Sequence, residues 1–178
     1  MMKSSNWLFA GAVLLCIAGL AEAQKSAGEH VDDSTTTARV KLVLLEQSLT
    51  DAADINVETS NGVVQLAGWV DSPEIKAQAG RITSETESVV AVSNRLQIRS
   101  GKRSAGRALD DTILAAKVKL ELAKRDSSNA LKVNVEVRNG VVELSGFVNT
   151  YEERDATSSF VAGIDGVDEV INSIDVTR

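Results

Sequence analysis

The sequence predicts an α+β protein built from two tandem domains of order α-β-β-α-β, each a small three-stranded sheet packed by two helices. Three observations lead there. Asn56-Val57-Glu58-Thr59-Ser60-Asn61-Gly62-Val63-Val64-Gln65-Leu66-Ala67-Gly68-Trp69-Val70 returns as Asn134-Val135-Glu136-Val137-Arg138-Asn139-Gly140-Val141-Val142-Glu143-Leu144-Ser145-Gly146-Phe147-Val148. The offset is constant at about 78 residues, the signature of a repeated structural unit. Asn-Gly pairs sit between alternating apolar runs in both copies, the strongest short-range hairpin signal. Cap residues precede helical patterns at matching places.

The chain opens with Lys3, an apolar run from Trp7 to Leu20, and the A-x-A sequence Ala21-Glu22-Ala23. This reads as a signal peptide over residues 1–23, because the run is shorter than the ~18–20 residues a membrane span needs. Cys16 lies inside that run behind Leu14 and Leu15, so it is read as discarded with the peptide. A cysteine-free mature chain excludes disulfides, thiol catalysis and cysteine metal ligation. Residues 24–31 are polar and small, a flexible lead-in.

The first domain is expected over residues 32–99. Asp32-Asp33-Ser34 reads as a helix cap, with a helix from Thr35 to Leu49 placing Val40, Val43, Leu44 and Gln47 on one face. Ile55, Val57 and Thr59 alternate with polar neighbours, so one face of the strand should be buried and the other wet. After Asn61-Gly62, Val64, Leu66, Gly68 and Val70 alternate back, and Gly68 suggests close approach of a packed helix. Ser72-Pro73 opens a second helix with Ile75, Ala79 and Ile82 inward. Val92 to Ile98 closes the unit as a strand. Residues 100–108, Ser-Gly-Lys-Arg-Ser-Ala-Gly-Arg-Ala, form an expected basic linker.

The second domain, residues 109–178, repeats the plan. Asp110-Asp111-Thr112 caps a helix from Ile113 to Lys124, with Ile113, Leu114, Val118, Glu121 and Leu122 on its core side. Val133, Val135 and Val137 alternate, and Val142, Leu144, Gly146 and Val148 return. Thr150-Tyr151-Glu152-Glu153 is a capping box before a helix carrying Ala156, Phe160 and Ile164. Val170 to Val176 is the closing strand.

These residues resemble the BON domain (bacterial OsmY and nodulation). The first copy carries the resemblance in Asn61, Gly62, Val63, Val64, Leu66, Gly68, Val70, Val89, Val92, Asn94 and Leu96. The second carries it in Asn139, Gly140, Val141, Val142, Leu144, Gly146, Val148, Val167, Val170, Asn172 and Ile174. Gly166-Val167 follows the usual pattern before the closing strand, whereas the first copy has Ser88-Val89 there. The resemblance implies a periplasmic envelope protein of a Gram-negative bacterium, akin to hyperosmotically inducible proteins with two such domains. It further implies weak, peripheral association with phospholipid and no catalytic reaction.

The formal net charge of −6 argues against nucleic acid as a partner, since nucleic-acid binders present a basic face. No catalytic residue, cofactor or metal ligand set is assigned: His30 is the sole histidine and stands in the lead-in. The paired aspartates read as helix caps before metal ligands. The binding candidates are surface groups. Trp69 and Phe147 occupy equivalent positions and suit a lipid headgroup boundary or a partner protein, or else packing of one domain on the other. Arg99, Lys102, Arg103 and Arg107 gather positive charge around the linker. Lys117, Lys119, Lys124 and Arg125 lie on the first helix of the second copy, where a basic amphipathic helix can rest on a membrane. The alternative function is a protein-binding or chaperone-like periplasmic module that uses sheet edges, with envelope proteins as partners.

Overall fold

The computed structural model describes residues 33–47, 54–99, 101, 104–125 and 132–177. The expected signal peptide over residues 1–23 with Cys16, the expected lead-in with His30, and Lys102 and Arg103 lie outside the described residues.

Each copy folds as expected, and the two are the same in outline. The first holds α1 (33–46), β1 (Ile55–Ser60), β2 (Val63–Val70), α2 (Pro73–Ser84), β3 (Ala91–Asn94) and β4 (Gln97–Ile98). The second holds α3 (Ala105–Arg125), β5 (Val133–Arg138), β6 (Val141–Val148), α4 (Tyr151–Ala162), β7 (Glu169–Asn172) and β8 (Asp175–Val176). In both, an antiparallel hairpin lends its second strand to the closing segment, which runs parallel to it. The closing strand comes in two pieces, so each sheet counts four strand segments, β4 and β8 pairing with the far ends of β2 and β6. The break falls at Arg95-Leu96 and Ser173-Ile174. There Asn94 and Asn172 each turn a side-chain oxygen back onto the N–H two residues ahead, a local bond that competes with the ladder.

The hairpin turns have the predicted chemistry. Asn61 and Gly62 sit at φ of 52° and 73°, Asn139 and Gly140 at 52° and 81°, the pair of positive angles that a primed two-residue turn requires. Ser72 caps α2 by accepting the N–H of Ile75, with Pro73 in the first turn. Thr150 caps α4 by accepting the N–H of Glu153, while Glu153 reaches back to the N–H of Asn149, one residue before the cap.

One apolar core lies between the helices and the sheet in each copy. Val40, Leu44, Val57, Val64, Leu66, Val70, Ala79 and Leu96 build the first. Val118, Leu122, Val135, Val142, Leu144, Val148, Val161 and Ile174 build the second. Fully burying one such aliphatic side chain contributes about 1.5–3 kcal/mol, so helix–sheet packing is the main source of stability in a fold this small.

Several expectations are corrected. Gln47 and Ile113 are exposed, and Ala156 yields its inward place to Thr157 and Val161. The helix of the second copy begins at Ala105, so residues 105–108 of the expected linker are helical. Asp111 therefore stands inside the helix and is no cap: its carboxylate accepts the N–H groups of Asn139 and Gly140 at 2.9 and 3.0 Å. Asp33 does the same for Asn61 and Gly62 at 2.8 and 2.9 Å. The repeated aspartate ties its helix to the hairpin turn. Gly68 and Gly146, at φ of 113° and 114°, face the backbone carbonyls of Asp54 and Lys132, so the close approach comes from the chain entering the neighbouring strand and not from a helix.

Candidate functional site

Period two was expected to leave one face of each sheet wet. The central strands are instead buried on both faces. On β2 the side chains of Val64, Leu66 and Val70 enter the core, and Gln65, Ala67 and Trp69 on the other face are buried as well. On β6 the equivalent second face carries Glu143, Ser145 and Phe147, of which the first two are buried.

These two faces meet. Gln65 is 1 % exposed, and its side-chain oxygen accepts the N–H of Gly146 at 2.6 Å. Its amide nitrogen donates to the carbonyl of Ser173 at 2.8 Å and to Asp175 at 2.6 Å. Glu143, the repeat equivalent of Gln65, is also 1 % exposed and accepts the N–H of Gly68 at 2.9 Å. Asn56 donates to Glu136 at 2.5 Å, and Asn134 donates to Glu58 at 3.0 Å. Two pairs of these bonds are reciprocal, Gln65–Gly146 with Glu143–Gly68 and Asn56–Glu136 with Asn134–Glu58, the pattern of two copies of one surface meeting about a local two-fold axis. Arg95 adds an ion pair to Asp175 at 2.6 Å across the same boundary.

The electrostatics of this seam are unusual. Burial drives the Glu143 carboxyl up to about 7, against the bonds from Ser173 and Gly68 and the charge of Lys76, which pull it down. Glu136, its cross-strand neighbour, is also raised to about 7, by burial first and then by the charges of Glu143 and Asp54, with Lys119 opposing. Burial pushes Asp175 up too, but the hydrogen bonds from Ser93, Gln65 and Arg95 outweigh it and leave Asp175 below its ordinary value.

The described sequence-derived binding residues are spread over four places. Trp69 is 8 % exposed in the seam face, so it offers no ring to solvent. Phe147 is half-buried and lines a groove between the copies with Arg95, Tyr151 and Arg154. Arg99 is largely buried and held by Asp54, by Asp71 at 3.0 Å and by the carbonyl of Trp69 at 3.0 Å. Its guanidinium is a structural brace of the first copy.

The helix candidates come together on α3. Arg107 and Lys119 are exposed there. Lys117 donates to the carbonyl of Asp165 at 2.6 Å, Lys124 pairs with Glu121 at 2.8 Å, and Arg125 lies 4.8 Å over the Phe160 ring. Between these cations runs an apolar stripe that the charge pattern alone did not reveal. Leu109, Ile113 and Leu120 are 62 %, 61 % and 55 % exposed, and spacings of four and seven residues set them on one side of the helix. By the same angular count Lys117 and Lys124 flank the stripe on one side and Lys119 on the other. Leu42, the repeat equivalent of Leu120, is likewise exposed on α1. Ile113 was expected in the core, and its exposure is the signal that the periodicity missed.

Among the described residues no group of three or more His, Cys, Asp or Glu side chains is placed to hold a metal ion. No helix among them is long and apolar enough to cross a membrane.

Comparison with known proteins agrees with this architecture. The family model described as BON domain matches residues 32–100 and again 110–178. The chain belongs to the BON-domain family. It is 33 % identical over 148 residues to osmotically-inducible protein Y of Escherichia coli, covering 83 % of this chain and 74 % of that one. It is 30 % identical over 168 residues to the outer membrane lipoprotein DolP of Haemophilus influenzae, covering 90 % and 86 %. It is 29 % identical over 156 residues to a 21 kDa hemolysin of Actinobacillus pleuropneumoniae, covering 86 % and 79 %. In this BON pair the motif residues sort by role. Asn61-Gly62 and Asn139-Gly140 make the turns, Gly68 and Gly146 allow the close approach, and Asn94 and Asn172 break the closing strands.

Proposed function

We propose that this tandem BON protein acts without catalysis in the cell envelope, on the periplasmic side, by resting weakly and peripherally on anionic phospholipid during envelope stress. The observation that carries the reading is the α3 surface, with Leu109, Ile113 and Leu120 exposed in line between Lys117, Lys124 and Lys119. An apolar stripe edged by lysines matches the interface between acyl chains and headgroups. A lysine near an anionic surface adds about 1 kcal/mol, less for Lys117 and Lys124, which already pair with Asp165 and Glu121, and burying the stripe adds a comparable amount per side chain. The chain as a whole is acidic at −6, so attraction is confined to this face and should be weak and salt-sensitive. The envelope setting is supported by the signal-like N-terminus and by the relatives named for osmotic induction and for the outer membrane.

Flotation of the mature chain, beginning at Gln24, with phosphatidylglycerol vesicles tests the proposal. Co-flotation at low salt that falls at 0.5 M salt, and that Ile113→Glu abolishes, is expected, with the steepness set by the ~10 Å Debye length at 0.1 M. Absence of flotation by folded protein at low salt overturns it.

A further inference from the structure

The two BON copies meet through a surface with two reciprocal pairs of bonds, and at one pair of equivalent positions the residues differ in charge. Gln65 on β2 and Glu143 on β6 occupy the same place in the repeat, are equally buried, and each accept a glycine N–H from the opposite copy. Gln65 is neutral and has both ends satisfied, its oxygen by Gly146 and its nitrogen by Ser173 and Asp175. Glu143 has only neutral donors, the N–H of Gly68 and the hydroxyl of Ser173 at 2.8 Å. Among the described residues no cation forms an ion pair with its carboxylate. We propose that Glu143 makes the seam between the two BON copies a proton-linked clasp, closed while this carboxyl is protonated and loosened when it ionises.

The surroundings favour this. The charged groups facing Glu143 come from every element packed against the seam. Glu136 lies directly across the β5–β6 ladder, with Asp54 and Glu58 beside the first hairpin. Asp175 stands at β8 and is occupied by Arg95 and Gln65. Lys76 on α2 and Lys119 on α3 are the cations that act on the pair, and neither forms a hydrogen bond with Glu143. An ionised Glu143 therefore stands buried among neutral donors, across the ladder from Glu136 and with Lys76 as the charge that favours it, at the contact that joins Gly68 to the second copy. A protonated Glu143 keeps the Gly68 bond and can give its proton to the Ser173 hydroxyl, which both accepts and donates.

The direction of the pH dependence follows. A carboxyl raised in the closed form binds its proton more tightly there than when the seam is open. Closure is then strongest below about 4.5, the ordinary value, and is lost as pH rises through about 7. For this one group the opening constant should grow about 40-fold between pH 5 and pH 7. Opening uncovers the β2 and β6 faces with Trp69, a surface independent of the α3 stripe.

Nuclear magnetic resonance of the mature chain across pH 5 to 9 tests this, with the Gly68 and Gly146 amides as reporters and small-angle scattering for overall size. In the wild type the Gly68 amide should shift with a midpoint near 7, and the radius should grow above it. Glu143→Gln copies the neutral form and should hold the Gly68 amide and the radius constant. Gln65→Glu adds a second buried acid beside Asp175 and should open the seam at lower pH than the wild type. Glu136→Gln should lower the Gly68 midpoint without abolishing it. A wild-type Gly68 amide that does not titrate, a Glu143→Gln protein that titrates like the wild type, or a Gln65→Glu protein that opens no earlier overturns the proposal.

Discussion

Replacing Asp111 by alanine removes the bond that locks α3 to the second hairpin turn. Its carboxylate is buried and accepts two backbone N–H groups, from Asn139 and Gly140, at 2.9 and 3.0 Å. Hydrogen bonds to a charged group contribute about 1.5–3 kcal/mol each, and a buried donor left without a partner bears its full desolvation cost. The turn is near the surface, so water recovers part of the loss, and the net destabilisation should be about 2–4 kcal/mol. The first copy provides an internal comparison. Asp33 makes the same pair of bonds from a more exposed position, so Asp33→Ala should cost about 1–2 kcal/mol. Asp111→Asn, which keeps one acceptor oxygen, should fall between wild type and Asp111→Ala. Urea denaturation followed by amide resonances of each copy reads the two separately. Equal losses at Asp33 and Asp111, or a loss below ~0.5 kcal/mol at Asp111, the range of ordinary surface substitutions, would refute the tethering argument.

Other outcomes are expected on the same grounds. Gly146→Ala drives a Cβ into the Lys132 carbonyl at a φ of 114° and should destabilise the second copy by more than about 2 kcal/mol, measured by denaturation. Leu144→Ala empties a fully buried core position and should cost about 2–5 kcal/mol in the same experiment. Thermal stability should be higher at pH 6 than at pH 9, because the raised carboxyl of Glu143 favours the folded form only while protonated. Its contribution, about 3 kcal/mol in all, falls away as pH rises from about 4.5 through about 7, so about 1 kcal/mol of it separates pH 6 from pH 9, and Glu143→Gln should flatten that slope in calorimetry. Arg99→Ala removes a brace to Asp54, Asp71 and the Trp69 carbonyl, and should lower the melting temperature without changing vesicle binding.

The fold was legible because it rests on local chemistry that repeats. Asn-Gly dictates the primed turn, Ser72-Pro73 and Thr150 dictate helix starts, and period-two valines dictate strands. The seam was legible only in part. Gln65, Ala67 and Trp69, with Glu143, Ser145 and Phe147, form an outward set too small and too aromatic for a wetted face, yet Gln and Glu alone look like solvent residues. Only the placement of one copy against the other makes them buried partners of Gly146 and Gly68. Asp33 and Asp111 misled because a short acid before an apolar pattern usually caps a helix. Their bonds run to turns 28 residues away, which no local rule anticipates. Ile113 misled in the same way: helical spacing assigns it to a face, but which face meets the sheet depends on where α3 begins.

In the proposed function this BON pair works by presenting the α3 face to lipid. Residue-level chemical-shift mapping on addition of anionic phospholipid micelles tests it most directly. Shifts concentrated at Leu109, Ile113, Leu120 and the flanking lysines are expected, with Trp69 unmoved at pH 6. Shifts centred on Phe147 and the groove beside Arg95, or no shifts while the protein stays folded, would contradict it.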